Sequence, residues 1–348
     1  MKKSLSMFLA ILMAFSLAGC GSGGSSSGGS SSGGGSNVGG SASTGGQVAA
    51  WSPSGSIDFV CPYAAGGGSD ICARTIANVL KEGGYCDASI VVSNQAGGGG
   101  LVGTSYVYGK KGDNNCITTY APGQLASAIT NKSEVQWDSI TQIALLAFEE
   151  QVICVQADQF EDLNDLIAYS KENPGKVTLG GCGIGNEDNV CVALLNKVTG
   201  SDLTYVLYDS AGDIMTAILG GHVTGGIFNP SECVAQVSSG DVDCLASFSE
   251  DSLGSISGFE NVPTCKDLGY NINFRMFRGV SGPPEMSPEA LAYWQDAFKK
   301  VSEDPIWTEN YLSSKGLIPA FMVGEELNQF LQDQYDIYYS IQQELGII

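Results

Sequence analysis

Past residue 55 the chain keeps repeating one unit: a short run rich in β-branched or aromatic residues, a turn, and a stretch with apolar residues at helical spacing. Strand signals fall at 57–61, 89–92 and 116–120, then at 176–179, 203–207 and 222–228. Helical spacing falls at 70–80, 100–108, 163–171, 189–198, 211–219 and again from 231. A chain that alternates in this way predicts an α/β fold with parallel-type sheets, because each helix returns the chain to start the next strand in the same direction. The C-terminal part reads as helical. Ser287 is a good N-cap with Pro288 at the first helical position, and Asp304-Pro305 opens another helix in the same way. A last long helix from 325 carries Leu327, Phe330, Leu331, Tyr335, Tyr338 and Ile341 on one face, a stripe that reads as core packing.

Three of the strand-to-helix turns are glycine-rich: Ala64-Ala65-Gly66-Gly67-Gly68-Ser69-Asp70, Asn94-Gln95-Ala96-Gly97-Gly98-Gly99-Gly100, and Gly180-Gly181-Cys182-Gly183-Ile184-Gly185-Asn186. Without Cβ atoms a ligand can approach the backbone closely, and the helix that follows offers unsatisfied N–H groups with a partial positive charge. Such turns are anion sites, and in open α/β sheets they lie where ligands bind. Gly98-x-Gly100-x-x-Gly103 formally matches a dinucleotide fingerprint, but the acidic residue expected about 20 residues on is not evident. A phosphate loop of the Walker type is excluded because no Lys-Ser/Thr closes any of these turns. The single histidine, His222, follows Gly220-Gly221 and reads as a surface turn residue. With no paired histidines and no placed base, the chain lacks the usual parts of an enzyme or a metal site, and no cofactor is expected. Pockets and hydrogen-bond donors suffice for a binding protein.

The N-terminus carries a different message. Met1-Lys2-Lys3, an apolar stretch over 7–17 and Leu17-Ala18-Gly19-Cys20 read as a signal peptide over 1–19. The stretch is too short for a permanent span, which needs about 20 apolar residues. Cys20 sits where a bacterial lipobox places its lipidated cysteine; the alternative is an ordinary cleaved signal. Residues 20–50 are the lipidated Cys and a Gly/Ser-rich tether, too poor in apolar surface to offset the entropy of ordering. The formal net charge of −21 argues against nucleic acid as a partner. It leaves room for a small anion, since a pocket is governed by local donors, and with only Arg74, Arg275 and Arg278 among arginines those donors must be largely backbone N–H groups. Ten cysteines remain after Cys20. They read mostly as free, buried thiols, with one or more disulfides as the alternative.

At the glycine turns the sequence resembles the extracytoplasmic solute receptors of tripartite tricarboxylate transporters, the Bug-type receptors, over about 56–348. Val60-Cys61-Pro62-Tyr63-Ala64-Ala65-Gly66-Gly67-Gly68-Ser69-Asp70 and Asn94-Gln95-Ala96-Gly97-Gly98-Gly99 are similar to that family's first two loops. Tyr208-Asp209-Ser210-Ala211-Gly212-Asp213 and Leu219-Gly220-Gly221-His222-Val223 are similar to its later helix start and turn. Asn229-Pro230-Ser231-Glu232 and Arg278-Gly279-Val280 resemble the tricarboxylate-receptor branch in particular. Ala96 stands where the family has Pro and Gln95 where it has a basic residue, so a carboxylate of lower charge suits the loop as well as citrate does.

The resemblance implies a type II periplasmic-binding-protein-like fold: two α/β domains, 54–154 plus 274–348 and 155–273, with a ligand cleft between them. It implies a monomeric, lipid-anchored receptor on the extracytoplasmic face of the cell membrane that captures a small organic acid (a mono-, di- or tricarboxylate) and delivers it to membrane permease subunits. The alternative is an orphan binding protein that senses a ligand for a signalling partner. The residues carried over to the ligand are Tyr63, Gly67, Gly68, Ser69, Asp70, Ala96 and Gly97 from the first two loops, with Asp70 organising its loop. Cys182, Gly183, Asn186, Tyr208, Ser210 and Asn229 come from the second domain, and Pro122, Gly123 and Gln124 follow a strand end as further candidates.

Overall fold

The computed structural model describes residues 51–348; the signal segment, Cys20 and the tether lie outside the described residues. The chain runs β1 (Ser56–Cys61), α1 (Gly68–Glu82), β2 (Ser89–Asn94), α2 (Leu101–Tyr108), β3 (Cys116–Tyr120), α3 (Pro122–Thr130) and β4 (Thr141–Glu149). It continues through β5 (Val152–Gln156), α4 (Leu163–Glu172), β6 (Thr178–Cys182), α5 (Glu187–Thr199), β7 (Thr204–Tyr208), α6 (Ala211–Leu219), β8 (Gly225–Phe228), α7 (Pro230–Ser239) and β9 (Val242–Ser247). It ends with β10 (Met276–Gly282), α8 (Pro288–Glu303), the short α9 (Ser313–Lys315), β11 (Ile318–Met322) and α10 (Gly324–Glu344).

The strands form two sheets, one ordered β11-β4-β10-β3-β1-β2 and the other β7-β6-β8-β5-β9. The pairings β1–β2, β1–β3, β6–β7 and β6–β8 are parallel, as the alternation requires. The expectation of parallel-type sheets fails for the rest: β10 runs antiparallel to β3 and β4, β11 to β4, and β5 to β8 and β9. The physical reason is connectivity. β4 enters β5 through only Glu150 and Gln151, with no helix to reverse the chain, so these strands are free of the parallel rule. Val152 to Gln156 of β5 pair with β8 and β9. β8 starts later than its sequence signal, since His222 is held in the turn after α6 by a 2.8 Å bond from its N–H to the Ala217 carbonyl.

The predicted apolar faces are the buried ones. Leu327, Leu331, Tyr338 and Ile341 of α10 enter one core with Tyr120, Phe274 and Phe277, and Tyr338 stands edge-on to Phe274. α1 and α8 cover the six-stranded sheet with Ile76, Leu80, Trp294 and Phe298; the indole N–H of Trp294 donates to the Asn114 carbonyl at 3.1 Å. Ser287 caps α8 through its Oγ, which accepts from the Ala290 N–H, and the segment after Asp304-Pro305 opens with a wide π-type turn over Ile306–Leu312. All ten cysteines after Cys20 are free thiols, eight of them buried. Burial pushes the Cys72 thiol up to about 11, so it packs as a neutral side chain.

Where the chain passes between sheets, a buried ion pair replaces apolar packing. The Glu150 carboxylate is fully buried and accepts from Arg275, from Nε at 2.7 Å and also from Nη2. The guanidinium lies 3.6 Å from the centroid of the Phe148 ring. Burial pushes the Glu150 carboxyl up while Arg275 holds it down. Breaking a buried pair costs roughly 3–5 kcal/mol, because one charge is left without a partner. Arg275→Met is therefore expected to destabilise by about that much in urea unfolding, and the double variant Glu150→Gln/Arg275→Met to recover a large part of the loss.

Candidate functional site

The parallel strands put the carboxyl ends of β1, β2 and β3 on one edge and those of β6, β7 and β8 on another. Loops from both edges meet around a cavity of about 560 Å³. Its wall is formed by Tyr63, Ala64 and Gly67 to Ser69 of the first loop, by Gly99, by Ala121 to Gly123 and the next turns of α3, by Ile184 to Glu187, and by Met276 and Arg278 of β10.

The first loop is held rigidly from beneath by Asp70. This carboxylate is 3% exposed and accepts from the Gly66 N–H at 2.9 Å, from Asn94 Nδ2 at 2.8 Å and from Arg74 Nε at 3.1 Å. Asn94 Nδ2 also donates to the Tyr63 carbonyl at 3.0 Å, so the end of β2 clamps both ends of the loop. Arg74 first, then the Gly66 amide, hold Asp70 down at about 2. Gly67 caps α1 in an extended conformation with no side-chain acceptor, so the first N–H groups of α1 carry no protein cap and lie at the cavity with Gly68 and Ser69. A Cβ on Gly68 would stand 3.2 Å from Arg278 Nη2, which places the guanidinium directly beside this helix start. Arg278 pairs with Glu149, and its buried Nε has no acceptor among the described residues. Burial opposes its charge, and Glu149 more than restores it.

The second loop needs glycine for its backbone. Gly97 to Gly100 all have positive φ. At Gly100 a Cβ would also meet Gln124 Cγ at 2.6 Å and the Tyr63 ring at 3.2 Å. The Tyr63 hydroxyl donates to the Gly99 carbonyl at 3.4 Å, and burial keeps it neutral. The start of α3 is fixed by Gln124, whose Oε1 accepts from the Ala121 N–H at 2.9 Å and whose Nε2 donates to Thr104 Oγ1 at 2.9 Å. The third loop is held by Asp188, which accepts from the Cys182 N–H at 2.7 Å, and by the Tyr205 hydroxyl, which donates to the Gly183 carbonyl at 2.7 Å. Gln342 of α10 is fully buried and joins two walls: its Nε2 donates to the Gly185 carbonyl at 2.8 Å and to the Ala126 carbonyl at 3.2 Å.

Of the residues expected at the ligand, Tyr63, Gly67, Gly68, Ser69, Pro122, Gly123 and Asn186 line the cavity together. Asp70, Gln124, Cys182 and Gly183 lie behind it and shape its loops through the bonds just described. Ala96 and Gly97 precede the cavity-lining Gly99. Tyr208 ends β7, and Ser210 caps α6 by accepting from the Asp213 N–H at 3.2 Å. Asn229 caps α7 and donates to the Glu150 carbonyl at 2.9 Å. None of these last three is in the cavity wall. The sequence pattern did not place Ile184, Glu187, Ser127, Thr130, Met276 or Arg278 at the ligand. For Arg278 the signal was available: it is one of three arginines and sits in a recognised motif.

The profile of the tripartite tricarboxylate transporter family receptors (TctC) matches residues 72–347. Among individual proteins, the chain is 28% identical over 299 residues to the UPF0065 protein in the gbd 5′ region of Cupriavidus necator, covering 85% of this chain and 89% of that one. The crystal structure of a TctC solute-binding protein from Polaromonas superposes with a TM-score of 0.77 at 24% identity, covering 84% of this chain and 99% of the other. The protein MatC from Rhodopseudomonas palustris with bound malate superposes with a TM-score of 0.62 at 20% identity, covering 83% and 99%. These likenesses agree with the two α/β units seen here.

The buried acids around the third loop are expected to make stability fall as pH rises. Burial pushes Asp188 up to about 7, and also raises Glu187 and Glu232. A carboxyl whose pKa is raised by folding binds its proton in the native state over a range where the unfolded chain has released it. Its contribution is therefore full below about pH 4 and lost as pH rises through about 7. The urea midpoint should be lower at pH 8 than at pH 5. Asp188→Asn, which keeps an acceptor for the Cys182 N–H, should make that drop smaller without abolishing it.

Proposed function

The chain belongs to the tripartite tricarboxylate transporter receptor family, and from that premise we propose that it captures a small organic carboxylate in the cavity between its two sheets. The observation that carries this reading is the convergence, in one cavity, of the uncapped start of α1 with the buried guanidinium of Arg278. A helix N-terminus and a desolvated arginine are both complementary to a carboxylate and require no metal. The loop beneath them is already rigid, so little ordering cost accompanies binding. The malate held by MatC supports a carboxylate of that general class for this chain.

In this reading the segments 54–154 plus 274–348 and 155–273 are the two domains that hold the acid between them. Tyr63, Gly67, Gly68, Ser69, Pro122, Gly123 and Asn186 contact it, while Asp70, Ala96, Gly97, Gln124, Cys182, Gly183, Tyr208, Ser210 and Asn229 shape or flank the site. Cys20 carries the lipid, residues 20–50 form the leash, and the receptor delivers its ligand to a membrane permease from the extracytoplasmic side. Acyl chains contribute about 0.8 kcal/mol per buried CH2, enough for two or more chains to anchor a protein firmly.

A thermal-shift series with mono-, di- and tricarboxylates tests the proposal. At 100 times Kd a ligand should stabilise the fold by about 2.7 kcal/mol with no turnover. Gly68→Val, which sets a branched side chain between the start of α1 and Arg278, should weaken the bound acid by about tenfold or more, about 1.4 kcal/mol, while the free protein stays folded. If no carboxylate shifts the unfolding transition, the proposal fails.

A further inference from the structure

One core of the five-stranded sheet is rich in sulfur. Cys154 of β5 and Cys233 of α7 are both fully buried in it, and Cys182 and Cys244 pack against it. The Cys154 thiol donates to Cys233 Sγ at 3.7 Å, across 79 positions of sequence. Cys233 lies in the first turn of α7, with its own S–H turned to the Asn229 and Pro230 carbonyls at 3.7 and 3.8 Å. Cys244 stands opposite Cys154 on β9, where the register of β5 against β9 shifts. Neither Cys154 nor Cys233 is in the wall of the ligand cavity.

A buried thiol alone packs as a small apolar side chain. Two thiols in contact can also be joined. A disulfide sets its sulfurs about 2.05 Å apart, so from 3.7 Å the gap left to close is roughly 1.7 Å, shared by two side chains. Resting on the extracytoplasmic placement proposed above, where disulfides form and persist, we propose that Cys154 and Cys233 join in a disulfide as the chain folds. The two thiols give up two protons and two electrons as the S–S bond forms. The oxidant is itself a disulfide, of a small thiol or of an exported oxidoreductase, and it opens to two thiols. Both sulfurs are fully buried once the protein is folded, so the reaction belongs to folding, before the core closes. Cys244 remains a thiol. The bond staples the start of α7 to β5. Asn229, which caps that helix, donates to the Glu150 carbonyl, so the staple holds the helix beside the buried ion pair at the passage between sheets.

The test is to unfold the full chain in urea and refold it with reduced and oxidised glutathione. The product is then alkylated in denaturant, digested and mapped by mass spectrometry. The expected result is a cross-linked peptide pair holding Cys154 and Cys233, lost after dithiothreitol, with Cys244 alkylated. Cys244→Ser should leave the link intact, and Cys233→Ser should abolish it. The linked protein should have a higher urea midpoint than the reduced protein, because the bond closes a long loop in the unfolded chain. Recovery of Cys154 and Cys233 as alkylated thiols, or a link from Cys154 to Cys244 instead, overturns the inference. So does a linked protein that unfolds at lower urea than the reduced one. The map of the unsubstituted chain decides the matter even if a variant folds poorly. The same map of protein recovered from cells, alkylated at lysis, tests the placement separately. A link that forms on refolding but is absent there counts against the extracytoplasmic placement and leaves the site standing.

Discussion

The cavity depends on the hydrogen bonds that converge on Asp70. A glycine-rich loop left alone samples many conformations, and fixing one residue costs about 1–2 kcal/mol. Asp70 offsets that cost by accepting from Gly66, Asn94 and Arg74 while itself belonging to the first turn of α1. One side chain thus ties the loop to its own helix and to the neighbouring parallel strand. Arg74 and the Gly66 amide hold the acid down at about 2, so it stays deprotonated well below neutral pH. What remains free is what a ligand needs: the N–H groups at the start of α1.

All three arginines serve the same architecture. Arg74 braces Asp70, Arg278 pairs with Glu149, and Arg275 pairs with Glu150. Glu149 ends β4 and Glu150 follows it directly, and the two side chains meet different arginines. One meets the arginine in the cavity wall, and the other the arginine beneath the passage between sheets. Strongly acidic composition therefore coexists with a site that favours an anion. Most of the excess negative charge lies outside the cavity, whose wall sets Arg278, paired with Glu149, beside backbone donors and one acid, Glu187.

Much of this arrangement is written locally in the sequence, and some is not. Helices with a cap and a stripe, such as α8 after Ser287-Pro288 and α10 with Leu327 to Ile341, are legible because both signals lie within a few turns of one another. The glycine turns are legible as anion sites for the same reason. β4 is not, because a run buried on both faces has no alternation to read. The antiparallel strands escape for a similar reason: their direction is set by where the chain crosses between sheets. Met276 reaches the cavity through tertiary packing alone, and nothing in its neighbours marks it. Asp70 and Gln124 show the converse, being motif residues whose side chains hold the loops from behind.

The central claim is that a carboxylate occupies the cavity at the start of α1. Hydrogen–deuterium exchange with mass spectrometry, comparing the free protein with the protein saturated by an acid that raises its melting temperature, tests it most directly. The account predicts slowed exchange concentrated in peptides covering 63–70, 121–127 and 183–188, with little change in α8 or the outer face of α4. Protection confined to other segments, or none in these three, would contradict it.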